Sequence, residues 1–230
     1  MQIAIDGPAG AGKSTVAREL AKRLGYVYLD TGAMYRALAY AVNAGGTDVA
    51  DTAQVLRVLS DFDVSVQYVN GDQHTFVNGV DVTDRIRTAE SGELASSIAR
   101  IPEVREMLLA RQRAVAEQHD IIMDGRDIAS CVMPTADFKF FLTATPRARA
   151  ERRYRDLLAA GCKDCSVEEI EQQIQARDEQ DTNRQVAPLQ HTAGEFLVDT
   201  SDMTQSQVVS RLTDIILSQH HDIRTAPYSR

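Results

Sequence analysis

Residues 2–6, QIAID, form a short apolar run that reads as a buried strand. Past a Gly-rich bend the period changes. Val16, Ala17, Leu20, Ala21 and Leu24 recur at helical spacing over 14–24, and Gly25 follows as a stop. The same reading gives a strand at 26–29, a helix at 34–42 closed by Gly45 and Gly46, and a helix at 52–59. Strict alternation then takes over in VSVQYVNGDQHTFVNGVDVTD, where Asn70-Gly71 and Asn78-Gly79 are hairpin-turn dipeptides. This predicts an antiparallel meander, near 62–88, inserted into an otherwise helix-and-strand chain.

Helical periods return at 89–99 and 102–118, the latter with Pro102 at a favoured early position. Compact apolar strands are predicted at 121–124 and 138–142. An Arg-rich helix over 146–160 ends at Gly161, and a charged helix covers 167–181. A last strand at 196–199 precedes a helix over 205–218, and the polar tail HHDIRTAPYSR reads as frayed. Buried strands separated by helices imply an α/β fold, with a mostly parallel sheet wound on both faces and right-handed crossovers.

Composition narrows the function. The chain has 230 residues, 43% apolar and 25% charged, an ordinary globular balance. A net charge of −8 argues against sequence-independent nucleic-acid binding, which leans on a basic surface. An anionic ligand would need its positive charge supplied locally. No apolar run approaches the roughly 20 residues of a membrane span. The first residues lack a basic region followed by an apolar stretch, so the expectation is a cytoplasmic protein without a secretory leader. The three cysteines include a lone CxxC, Cys162 and Cys165, without the partners a zinc site or a disulfide framework needs. They read as reduced thiols.

The Gly-rich bend is GPAGAGKST, and it matches G-x-x-x-x-G-K-[ST] with a strand before it and a helix after it. Gly7, Pro8, Ala9, Gly10, Ala11, Gly12, Lys13, Ser14 and Thr15 form the candidate ATP site. The glycines let backbone N–H groups turn inward around phosphate oxygens, and the helix N-terminus adds partial positive charge. Lys13 is placed for the β- and γ-phosphates and the Ser14 hydroxyl for Mg2+. A GTPase switch is excluded, because no Asp is followed by Gly three residues later and no Asn by Lys. An ATPase motor, a kinase and a nucleotide sensor remain.

Four further stretches each admit two readings. DTGAMYR follows the second strand, so Thr31 and Arg36 either hold an anion at the carboxyl edge of the sheet or form a helix cap and a solvated Arg. DGRD follows the strand at 121–124; Asp124 is placed like the acid that supports Mg2+ in P-loop proteins, and Arg126 and Asp127 face the cleft or a surface turn. In ARDEQDTNR, helical spacing puts Arg177, Asp181 and Arg184 on one face, as a salt-bridged surface or as a phosphate and ribose clamp. PRARAERRYR carries five arginines within nine residues, including Arg153. They are a solvated face or a lid meeting the transferring phosphoryl group.

In order and spacing, GPAGAGKST, DTGAMYR, IRTAE, VREMLLARQR, DGRD and RDEQDTNR-QVAPL resemble bacterial cytidylate kinase of the longer type, over essentially the whole chain. The resemblance implies a single nucleoside monophosphate kinase domain over 1–230. Its P-loop core would be 1–30, 121–146 and 183–230. A monophosphate-binding region would span 31–120, enlarged by the β insert, and a lid with its flanking helix 147–182. Arg36, Arg126 and Arg184 would hold the CMP phosphate, with Thr31, where the family often has Ser, close by. Arg177 and Asp181 would face the sugar, and Ser96, Arg105 and Asp127 the cytosine edge. Lys13, Arg126, Arg184 and Arg153 would be catalytic. The implied reaction moves the γ-phosphoryl of ATP to CMP or dCMP with Mg2+ in a monomer that needs neither nucleic acid nor membrane. The rival readings are a P-loop kinase for UMP, AMP or shikimate, and a nucleotide-gated binding protein.

Overall fold

A computed structural model describes residues 1–162 and 164–219; the tail read as frayed lies outside the described residues. In chain order the elements are β1 (Gln2–Asp6), α1 (Lys13–Leu24), β2 (Val27–Asp30), α2 (Thr31–Ala44) and α3 (Thr52–Leu59). β3 (Val64–Val69), β4 (Asp72–Val77), β5 (Val80–Asp81), α4 (Ala89–Ile98) and α5 (Pro102–Ala116) follow. β6 (Ile121–Asp124), a π-turn at Ile128–Val132, β7 (Phe138–Thr143), α6 (Pro146–Ala159), α7 (Val167–Thr182), β8 (Phe196–Asp199) and α8 (Gln205–Gln219) complete the chain.

The chain divides into two compact units, Met1–Val27 with the chain from Asp120 onward, and Tyr28–His119. The expected lid stretch, 147–182, falls in the first. A five-stranded sheet runs β2-β6-β1-β7-β8, and β1 pairs parallel with both β6 and β7, as β7 does with β8. Ile3, Ile5, Ile121, Ile122, Phe138 and Phe140 are buried, because helices cover both faces of a parallel sheet. α1 packs its Val16, Ala17, Leu20 and Ala21 stripe inward, and α8 does so with Val208, Val209, Leu212 and Ile216. The fold is thus the P-loop type of parallel α/β sheet that the alternating strands and helices predict. The register Ile5↔Asp124 and Asp6↔Phe141 places the ends of β1, β6 and β7 side by side.

The second unit holds the meander as a separate three-stranded antiparallel sheet, β3-β4-β5. Asn70 (φ 54°) with Gly71 (φ 84°), and Asn78 (φ 49°) with Gly79 (φ 77°), are paired left-handed residues. They make the tight turns those dipeptides favour. α2 begins three residues earlier than its apolar pattern suggests, because the Asp30 side chain caps it by accepting from Ala33 N at 2.9 Å. Among the described residues no helix is long and apolar enough to cross a membrane, and Cys131, Cys162 and Cys165 form no disulfide.

Candidate active site

The bend after β1 is shaped by contact as well as by sequence. Gly7 has φ 143°, and a Cβ there would sit 1.9 Å from the carbonyl oxygen of Leu142 on β7. Gly12, at φ 85°, caps α1 without any side-chain hydrogen bond, so the first N–H groups of the helix keep their donors for an anion. Lys13 is only 5% exposed, and its Nζ donates to Pro8 O at 2.8 Å. Burial lowers its pKa to about 7, Arg126 adds to this, and Asp124, Asp6 and Asp181 oppose it. A lysine held this way is a cation short of compensation, and phosphate oxygens would supply it.

Ser14 Oγ donates to Asp124 Oδ2 at 2.8 Å, which joins the loop's hydroxyl to the buried carboxylate at the end of β6. Next along the chain, Arg126 Nε donates to Asp181 Oδ2 at 2.8 Å. Burial pushes the Asp181 carboxyl up, but Arg126, with Arg177 and Arg184 beyond it, outweighs burial and holds it below the usual carboxylate value. Arg184 Nη2 lies 3.6 Å from Asp127 Oδ1, and Arg184 Nε donates to Ala187 O. Within the first unit, then, Arg126, Asp127, Arg177, Asp181 and Arg184 form one ionic network that also acts on Lys13.

One expectation is corrected here. Arg184 does not share the face of a helix with Arg177 and Asp181. α7 ends at Thr182 with Asn183 as its cap, and the chain turns back so that Leu189 N donates to Asp181 O at 2.9 Å. Arg184 reaches Asp127 from that turn, not from helical spacing.

The Arg-rich helix resolves into separate jobs. Arg147 is a solvated residue among Glu151, Glu168 and Glu171. Arg152 is held by Thr200. Arg149, 3% exposed, donates to Ala9 O of the phosphate loop at 2.9 Å, to Ala144 O at 2.9 Å, and to both carboxylate oxygens of Asp178 on α7. Arg153, one turn further along the same side of α6, is exposed. α6 and α7 are joined below these charges by Ala150, Ile170 and Ile174, with Tyr154 and Leu157 packed against them.

In the second unit Thr31 is buried at the start of α2, and Arg36 Nη2 donates to Asp30 Oδ2 at 2.8 Å. Gln73, from the inserted meander, accepts from Asp30 N at 2.6 Å and donates to Asp30 O at 3.2 Å. The insert therefore holds the residue that orients Arg36. Gln73→Ala removes both bonds and is expected to lower stability by about 1–2 kcal/mol, read from urea unfolding. An unchanged midpoint would show that the contact carries no weight. Arg105 on α5 lies over the Tyr35 ring at 6.0 Å and reaches Ala99 O, while Ser96 is half-buried on α4.

Asp6, Asp178 and Gln73 escaped the sequence reading. Asp6 is 1% exposed, and its oxygens accept from Ile128 N at 2.9 Å and Ala129 N at 2.7 Å. Burial pushes its carboxyl up to about 7, against the lowering by those two N–H groups. Its partners lie more than a hundred residues away, so no local pattern marks it.

A phosphate-cradling bend between β1 and α1, a buried Lys at its end and a hydroxyl–carboxylate pair behind it define a P-loop nucleotide-binding kinase fold. Sequence comparison gives the family. The profile of the cytidylate kinase family matches residues 3–218, and the chain belongs to that family. It is 44% identical over 216 residues to the cytidylate kinase of Caldanaerobacter subterraneus subsp. tengcongensis, covering 94% of each chain. It is likewise 44% identical over 216 residues to that of Geobacillus kaustophilus, covering 94% of this chain and 96% of that one. An uncharacterized protein from Eubacterium ventriosum, 10% identical, superposes with a TM-score of 0.53 over 95% of this chain and 98% of its own; the likeness is one of fold. The chain is accordingly a kinase, a phosphotransferase with nucleotide substrates.

Proposed function

We propose that this kinase transfers the γ-phosphoryl group of ATP to CMP or dCMP, giving CDP or dCDP and ADP. The observation that carries the reading is the ionic network behind the phosphate loop, in a chain whose relatives are cytidylate kinases. The loop and Lys13 bind the β- and γ-phosphates. A 5′-phosphate oxygen of the acceptor attacks the γ-phosphorus in line, the bond to the β-bridging oxygen breaks, and ADP leaves. That nucleophile is already anionic, so no general base is needed. The barrier is the approach of two polyanions. Lys13, Arg126 and Arg184 lower it by stabilising charge on the transferring group, and Arg153, exposed one turn along α6 from the loop-bound Arg149, is assigned to add to it.

Two oxygen donors, the Ser14 hydroxyl and the Asp124 carboxylate, are already 2.8 Å apart. Among the described residues there is no cluster of three acidic, His or Cys side chains to cage a metal. This donor set fits Mg2+, which binds through one or two protein oxygens together with substrate phosphates. When bound, it supplies charge neutralisation at the β- and γ-oxygens.

In the acceptor roles, Arg126, Arg184 and Arg36 take the CMP phosphate with Thr31, and Arg177 and Asp181 the sugar. Asp127, Arg105 and Ser96 take the base. A carboxylate accepts from the cytosine N4 amino group, whereas UMP would offer it O4, an acceptor against an acceptor. ADP release measured across CMP, dCMP, UMP, AMP and shikimate should favour the two cytidine acceptors, and equal rates would refute the assignment. Arg184→Ala should raise the KM for CMP about 10- to 100-fold, the worth of one charge-assisted contact, with the KM for ATP little changed. A normal KM for CMP would remove Arg184 from that role.

A further inference from the structure

We infer that Asp6 is a positioning residue for the acceptor-side loop 124–127, acting through the π-turn that follows it; the inference rests on the cytidylate kinase reading for its kinetic consequences. Asp6 closes β1 and stands directly ahead of Gly7, the first residue of the phosphate loop. Its two carboxylate oxygens accept from Ile128 N at 2.9 Å and Ala129 N at 2.7 Å, the first two amides of the turn. Those amides are donors that a helical turn leaves without internal partners.

An Asp at the capping position ordinarily satisfies such amides itself, by accepting from the second or third N–H. Asp127 occupies that position here, and its side chain makes no capping hydrogen bond. The capping is done from another strand, 122 residues away in sequence. With the amides satisfied by Asp6, the Asp127 carboxylate points instead toward Arg184, at 3.6 Å. Without Asp6, the Asp127 carboxylate, at the capping position, would be drawn back to accept from Ala129 N, the second amide of the turn, and away from the acceptor. One buried carboxylate, at the end of the strand that leads into the phosphate loop, thus sets the orientation of the base-facing carboxylate through the turn.

A double-mutant cycle tests this. Asp6→Asn keeps the side-chain volume and one of the two acceptors. It should reduce the preference for CMP over UMP by about tenfold, while the KM for ATP stays within about twofold. In an Asp127→Asn background the same change should have no further effect on that preference, because the residue being positioned is already altered. Additive losses, or equal damage to ATP and CMP handling, would show general loosening and overturn the inference. A second arm needs neither substrate nor variant: the amides of Ile128 and Ala129 should be protected from hydrogen exchange in the wild-type chain, and fast exchange at both would overturn it as well. A wild type without any CMP preference would sink the cytidine-acceptor reading instead, leaving the exchange arm to decide the positioning role.

Discussion

Lys13→Ala will lower the turnover number by about 10²- to 10³-fold or more and leave the chain folded. The direction of both effects follows from the same observation. The Lys13 ammonium is buried, it has Pro8 O as a partner, and burial together with Arg126 pulls its pKa down to about 7. Holding a cation there is unfavourable until an anion arrives. On the proposed reading the side chain serves the charge that develops on the transferring phosphoryl group and does little for the folded state alone. Melting temperature should be unchanged or slightly raised, with transfer nearly abolished. Turnover within about tenfold of wild type would show that Lys13 lies outside the reaction path.

Gly7→Ala should have the second large effect, and on a different quantity. A Cβ at this position would meet the backbone oxygen of Leu142 at 1.9 Å, and the residue sits at φ 143°, where side chains are strained. Leu142 is fixed in β7 between β1 and β8, so it cannot yield. The loop must move instead. A loss of about 3 kcal/mol or more is expected, and with it about 6–12 °C in melting temperature, together with ATP affinity. A thermal melt and a nucleotide titration read both. An alanine variant that melts with the wild type and binds ATP normally would mean that the bend is not held by this contact.

The parts of this molecule that were legible in the sequence are the ones governed by near neighbours. Period and turn chemistry carried β1, α1 and the two Asn-Gly hairpins of the meander, because strand alternation and left-handed turn residues act over a few positions. The phosphate loop was legible for the same reason. What depends on how distant elements meet was not. Five arginines in nine residues look alike on a helix. Only the packing of α6 on α7 turns Arg149 onto Ala9 and Asp178 and leaves Arg147 in solvent. Helical spacing carried Arg184 onto the face of Arg177 and Asp181 by extending α7 past its cap at Asn183. Gln73 gives no local sign that its partner is Asp30, since the pairing depends on how the meander folds back within its own unit. The π-turn at Ile128–Val132 is held by a strand residue near the N-terminus, 122 residues away, and its five residues have no period of their own.

The central claim is that the basic groups around the phosphate loop serve transfer between two nucleotides and not hydrolysis. Phosphorus NMR of ATP, Mg2+ and CMP with the enzyme tests it most directly. The account predicts ADP and CDP appearing in equal amounts with no inorganic phosphate ahead of them, and no ATP loss when CMP is omitted. Inorganic phosphate released without CDP, or ATP consumed when CMP is omitted, would contradict it.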